Sequence, residues 1–179
     1  MTETKTFLGW LRCRRVELIS LAVAALLVVI DQITKLAIVA GFAVGESKVI
    51  IEGVLHFTYV RNPGAVFGSF SGQPYIFNTV TTVTVLAGIA LLLAGKIKST
   101  WLKCTAALII SGGIGNMIDR IRLQYVVDFI DVKCFGSLWT WVFNIADCCV
   151  VIGCLMFVAH TVWEIINDTK QEDNSNAEN

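Results

Sequence analysis

The stretch Val16–Ala40, VELISLAVAALLVVIDQITKLAIVA, decides the class of fold. It exceeds the roughly 20 helical residues needed to cross a bilayer core. Arg12, Arg14 and Arg15 precede it, as basic residues precede the apolar run of a secretory leader. The run continues, however, through Asp31-Gln32-Ile33-Thr34-Lys35, and no small-x-small cleavage site follows its first apolar part. It reads as a retained first transmembrane helix.

Working outward, three more apolar stretches are long enough to span, at Pro74–Leu93, Trp101–Arg120 and Trp139–Trp163. Of the 179 residues, 55% are hydrophobic and 16% charged, where a soluble domain carries about a quarter charged. Mean hydropathy is +0.70. The expected fold is mainly α, with four transmembrane helices forming a single membrane domain over residues 1–169. Net charge is zero, which offers no electrostatic footprint for nucleic acid. Lys5 and the arginines before the first helix, with Lys96, Lys98 and Lys103 between the second and third, place both termini in the cytoplasm. Trp10, Trp101 and Trp163 then mark the inner interface, and Trp139 and Trp141 the outer one.

Two connections reach the outer side. In Val44–Gln73, Lys48–Ile51 and Leu55–Arg61 are β-rich, with Leu55, Phe57 and Tyr59 alternating with His56, Thr58 and Val60. Asn62-Pro63-Gly64 ends the second run. Ala65–Phe70 is apolar enough to form a short interfacial segment. Residues 123–138 are expected to add a strand, giving a small β-cradle resting on the bilayer. The polar, acidic tail over residues 170–179 is expected to be disordered. There is no internal repeat.

Six cysteines form no C-x-x-C pair, and most lie in or beside apolar segments, where Cys serves as a small hydrophobe. With only His56 and His160 available, a zinc site or a Ser-His-Asp triad is poorly supported. No metal or cofactor is expected.

The polar residues inside the apolar runs carry more information, because a charged group in lipid costs a few kcal/mol and marks a functional site by default. Asp31 and Lys35 are four apart, acid first, the favoured order for an intrahelical pair. Such a pair could neutralise itself or turn inward to brace a site. On the third helix Gly112, Gly113 and Gly115 offer a small face for close approach, and Asn116, Asp119 and Arg120 share one stripe. On the fourth, Asn144 and Asp147 share a face, about 8 to 12 Å below Trp139 by helical rise. Asp128 lies in the β-rich run Tyr125–Val132 beside these helices. All these groups converge on the outer half. Asp128 and Asp147 are expected to meet as a carboxyl dyad sharing one proton.

Five segments bear a family likeness: Asp31-Gln32-Ile33-Thr34-Lys35, Asn62-Pro63-Gly64-Ala65-Val66-Phe67, Gly113-Ile114-Gly115-Asn116-Met117-Ile118-Asp119-Arg120, Val126-Val127-Asp128-Phe129 and Phe143-Asn144-Ile145-Ala146-Asp147. Their order and topology resemble the motifs of bacterial lipoprotein signal peptidase (signal peptidase II), over essentially the whole chain. The resemblance implies a monomeric aspartic endopeptidase of the inner membrane. Its substrates would be prolipoproteins, cut just before a diacylglyceryl-modified cysteine. It also implies that Asp128 and Asp147 are catalytic, that Asn62 and Arg120 contact substrate or the inhibitor globomycin, and that Asp31, Lys35, Asn116, Asp119 and Asn144 support the site.

Three other readings compete. A proton-coupled transporter would use Asp147 as relay, yet neither a repeat nor a broken helix is present. A Ser-Lys peptidase would pair Lys35 with Ser69 or Ser111, yet Asp31 keeps Lys35 charged and a poor base. A non-enzymatic assembly factor leaves the shared depth of the polar groups without a reason.

Overall fold

The computed structural model describes residues 14–63, 74–134 and 141–177. Within these residues four helices and four strands follow one another as α1 (Arg15–Gly41), β1 (Ser47–Ile51), β2 (Leu55–Asn62), α2 (Pro74–Leu93), α3 (Thr100–Leu123), β3 (Val126–Val132), β4 (Val142–Phe143) and α4 (Ile145–Ala177). The helices follow the apolar runs, since helix formation satisfies every backbone group within the segment. Helices α1, α3 and α4 are long and apolar enough to cross a membrane, whereas the described apolar part of α2, Thr79–Leu93, is shorter than a full span.

Burial on α1 is inverted relative to a soluble protein. Ile33 and Leu36 are 60% and 55% exposed, while Asp31 and Lys35 are 1% and 2% exposed. Apolar side chains thus face outward and the charges face the bundle, as a lipid solvent favours. Ala24, Val85, Leu92, Ala107 and Ile110 pack where α1, α2 and α3 meet. Near the start of α1, Glu17 pairs with Lys103 at 3.0 Å, and Arg14 donates to the Ala94 carbonyl. Lys103, expected in a loop, is therefore a buried residue of the first turn of α3. Glu17 supplies the countercharge that makes that position tolerable.

The strands form one antiparallel sheet in the order β1-β2-β3-β4. Strand β2 ends at Asn62, immediately before Pro63. The sheet is seated on the far end of α1 by Ile38, Tyr59, Val127 and Phe129, with Phe57 edge-on to Phe129 at 5.5 Å between ring centroids. Residues 123–138 do contribute a strand, β3, which pairs with β2.

The last helix departs from expectation at both ends. Trp139–Trp163 was expected as one helix, but Val142–Phe143 pairs with β3, and α4 starts at Ile145. A short apolar run is equally compatible with strand and helix, and the partner strand decides. Asp147 consequently lies in the first helical turn rather than two or three turns down. At the other end, the helix continues through Ala177 where a disordered tail over 170–179 was expected. Lys170, Gln171 and Glu172 are good helix formers that carry the helix beyond its apolar part. The expected interfacial segment at 65–70, together with Trp10 and Trp139, falls outside the described residues.

Candidate active site

Where the sheet meets the helices, the nine polar residues singled out in the sequence come to one place. Helix α3 ends on Gln124, a non-glycine residue at φ 66°, whose N–H donates to the Arg120 carbonyl. This left-handed cap turns the chain sharply into β3. The Asp119 carboxylate then accepts the Val127 N–H at 3.0 Å, fixing the strand one residue before Asp128. Asp128 is 2% exposed.

Asp147 is held differently. The Asn144 side-chain oxygen accepts the Asp147 N–H at 2.9 Å, and the Asp147 carboxylate accepts the Asn144 N–H at 3.3 Å. This reciprocal pair is a capping box, with Asn144 at the N-cap of α4 and Asp147 three residues on. A second unpaired N–H of the helix start, that of Ala146, donates to Asp31 at 2.9 Å. Asp147 thereby sits at the positive end of the helix dipole.

One asparagine joins the two carboxylates. Asn144 Nδ2 donates to Asp128 at 2.7 Å and to Asn116 Oδ1 at 3.0 Å. Asn116 Nδ2 in turn donates to Asp147 at 2.7 Å. Asn62, from the end of β2, donates to the other oxygen of Asp128 at 2.9 Å. Asp128 and Asp147 are thereby joined through a single amide network.

Behind the network lies Lys35, which contacts Asp31 at 2.9 Å, Asp119 at 3.0 Å and Asn116 Oδ1 at 3.0 Å. Three acceptors thus surround the three ammonium protons, which permits a buried cation. Asp31 and Lys35 are not a pair facing lipid. They are built into the bundle. Gly115 allows this, since a Cβ there would lie 2.7 Å from Asp31 Oδ2 and 3.0 Å from the Ala146 Cβ. Arg120 is half-buried, and among the described residues none forms an ion pair or hydrogen bond with its guanidinium. Its charge is nevertheless near enough to Asp147, Asp128 and Asp119 to be attracted by them.

The two carboxylates of β3 contrast usefully. Burial pushes on both. For Asp131 the Lys133 ammonium at 2.8 Å and the Thr58 hydroxyl outweigh burial and hold the carboxyl below its usual range. Among the described residues no such cation contacts Asp128. Burial first, and the Asp147 charge second, push it up to about 7, against the pull of Asn62, Asn144 and Lys35. A carboxyl that exchanges its proton near neutral pH suits general acid–base chemistry.

Gln32 had no role assigned from sequence. Its amide nitrogen lies 3.2 Å from Asp31, 3.1 Å from the Gly115 carbonyl and 3.1 Å from Asp119. The available signal was its position, a polar amide inside a lipid-spanning run. Among the described residues, no three His, Cys, Asp or Glu side chains come together as a metal site.

The family model described as signal peptidase (SPase) II matches residues 23–163. The chain belongs to this family. The lipoprotein signal peptidase of Syntrophus aciditrophicus is 37% identical over 147 residues, covering 79% of this chain and 91% of the relative. That of Halothermothrix orenii is 39% identical over 142 residues, with 79% and 93% covered. A solved bacterial membrane enzyme, determined by the in meso method at 2.3 Å resolution, is similar at TM-score 0.77 and 31% identity. That likeness covers 83% of this chain and 90% of the solved one. As a signal peptidase II family member, the chain is an aspartic-type peptidase, so the carboxylates take priority over Cys148 and Cys149 beside them.

Proposed function

We propose that this enzyme removes signal peptides from prolipoproteins by cutting before the diacylglyceryl-modified cysteine, with Asp128 and Asp147 as the catalytic dyad. The observation that carries the reading is Asn144, which hydrogen-bonds Asp128 through its amide nitrogen and Asp147 through its backbone and side-chain oxygen. Two carboxyls held around one residue titrate as a pair. The ionised member takes a proton from water, whose oxygen attacks the scissile carbonyl. The protonated member donates to the carbonyl oxygen, giving a neutral gem-diol. On collapse, the proton taken from water passes to the leaving amine, and a diol hydroxyl returns the other. No metal or cofactor takes part.

In this reading Asn62 and Arg120 contact substrate, the inhibitor globomycin included. Asp31, Lys35, Asn116, Asp119 and Asn144 hold the geometry. The Arg120 cation suits a peptide carbonyl near the cut bond. The protein is a single membrane domain and a monomer in the bacterial inner membrane. It has four spans, α2 included, both termini in the cytoplasm and the sheet outside. The basic residues near the start of α1 and between α2 and α3 support this orientation. Substrate then enters sideways from lipid, its acyl chains staying in the bilayer.

The test is cleavage of a diacylglyceryl-modified precursor by purified protein, with and without globomycin. Asp128→Asn and Asp147→Asn are each expected to lower the rate by at least about 10²-fold with insertion unchanged. Full processing by either variant, or equal rates on unlipidated precursor, overturns the reading.

A further inference from the structure

The two carboxyls are not equivalent, and their surroundings differ in kind. We propose that the resting proton of the dyad resides on Asp128, that Asp147 is the ionised base, and that Asn116 is the positioning residue that maintains this asymmetry by linking Asp147 to Lys35. The proposal rests on the peptidase reading above and goes beyond it by giving each aspartate one role.

The groups facing the pair come from every element around it. From α1, Lys35 lies behind Asn116 at 3.0 Å, with its charge shared between Asp31 and Asp119. From α3, Asn116 donates to Asp147 at 2.7 Å, and Arg120 brings its charge near both carboxylates. From β2, Asn62 donates to Asp128, and from the start of α4, Asn144 serves both.

Three features separate the pair. Asp147 occupies the first turn of a long helix, where the dipole is equivalent to roughly half a positive charge. Asp128 is on a strand, whose net dipole is small. Asp147 is half-buried and Asp128 is 2% exposed, so ionisation costs more at Asp128. Finally, the donor to Asp147 is an amide whose own oxygen accepts from a buried ammonium, which polarises its N–H. Of the donors to Asp128, Asn144 gives its own side-chain oxygen to the Asp147 N–H rather than to an ammonium.

The sequence of proton movements follows. Asp147 accepts the proton of the attacking water as its oxygen bonds to the carbonyl carbon, and Asp128 protonates the carbonyl oxygen. Asp147 then delivers its proton to the departing nitrogen as the C–N bond breaks, and Asp128 recovers one from the diol. Both residues end as they began.

The experiment uses full-length protein in lipid nanodiscs with carboxyl-¹³C aspartate, read by isotope-edited infrared difference spectra near pH 6. One protonated aspartate C=O band is expected in wild type, lost in Asp128→Asn and, with the pH lowered to about 5 to offset the missing Asp147 charge, kept in Asp147→Asn. The opposite pattern overturns the proposal, as does a wild type without the band, or a band kept or lost in both variants. In parallel, Asn116→Leu is expected to move the acid limb of the kcat/KM profile up by about one pH unit, and Asn116→Gln to restore part of it. An unmoved limb overturns the role of Asn116. If Asn116→Leu fails to fold, the two aspartate spectra still locate the proton. Wild type that leaves lipidated precursor uncut defeats the peptidase reading separately, with the infrared result intact.

Discussion

Asp31, in the middle of the first spanning helix, accepts the backbone N–H of Ala146 in the first turn of the last one, at 2.9 Å. A side chain 115 positions earlier in the chain thus caps the helix on which Asp147 sits. The cap is anionic at the positive end of a helix, and its second oxygen is neutralised by Lys35. The charged cluster therefore acts on the dyad through helix placement as well as through its field.

Replacement of Lys35 tests that cluster. Lys35→Met leaves Asp31 and Asp119 buried without a countercharge, and a loss of about 3–5 kcal/mol is expected. Thermal unfolding in detergent should show a lowered Tm along with lost cleavage. Asp31→Asn keeps the shape and one amide partner, so a smaller fall is expected. A Lys35→Met protein as stable as wild type would mean that the cluster is not ionised as drawn.

Arg120 should behave in the opposite way. Among the described residues nothing pairs with it, so Arg120→Gln is expected to leave Tm nearly unchanged. A loss of substrate contact should lower kcat/KM by about 10–10²-fold, in line with a charged hydrogen bond of roughly 1.5–3 kcal/mol. Steady-state kinetics on lipidated precursor separate this from a folding defect.

The pH response has a definite sign. The Asp128 carboxyl is raised from 3.8 to about 7 by burial and by Asp147. The folded protein then binds a proton more tightly than the unfolded chain, so stability contributed by this group is complete at low pH and falls as pH rises through that window. Cleavage should likewise decline, by about tenfold per pH unit, once the dyad loses its last proton above that value. In Asp147→Asn the charge contribution disappears and burial remains, so the Asp128 midpoint should fall while staying above 3.8. Infrared or ¹³C NMR titration of labelled aspartate reads it directly.

Close packing at Gly115 gives a steric test with an internal control. A methyl group there would lie 2.7 Å from Asp31 and 3.0 Å from Ala146, whereas at Gly41 it meets nothing within 4 Å. Gly115→Ala should cost about 1–3 kcal/mol by overpacking and slow cleavage by displacing the cap on α4. Gly41→Ala should do neither.

Much of this molecule could be read along the chain, because lipid solvent imposes simple local rules. Long apolar runs become helices, Asn62-Pro63 stops a strand, and charges inside a spanning run turn inward and mark the site. The spacing of Asn144 and Asp147 even held the capping signal that places the start of α4, although the apolar run from Trp139 masked it. Pairing with β3 made Val142–Phe143 a strand, and no local pattern could announce that partner.

Only the folded arrangement decided which donors meet which acceptors. Asn116 and Asn144 could be placed on the faces of neighbouring acids, but their partners appear only when α3 and α4 are brought together and their amides interlock between Lys35, Asp128 and Asp147. Residue type and period are local properties, so the sequence can say that a buried amide or carboxylate is present and which way it faces. Hydrogen bonds act over about 3 Å, and whether two such groups come that close depends on helices and strands distant in the chain.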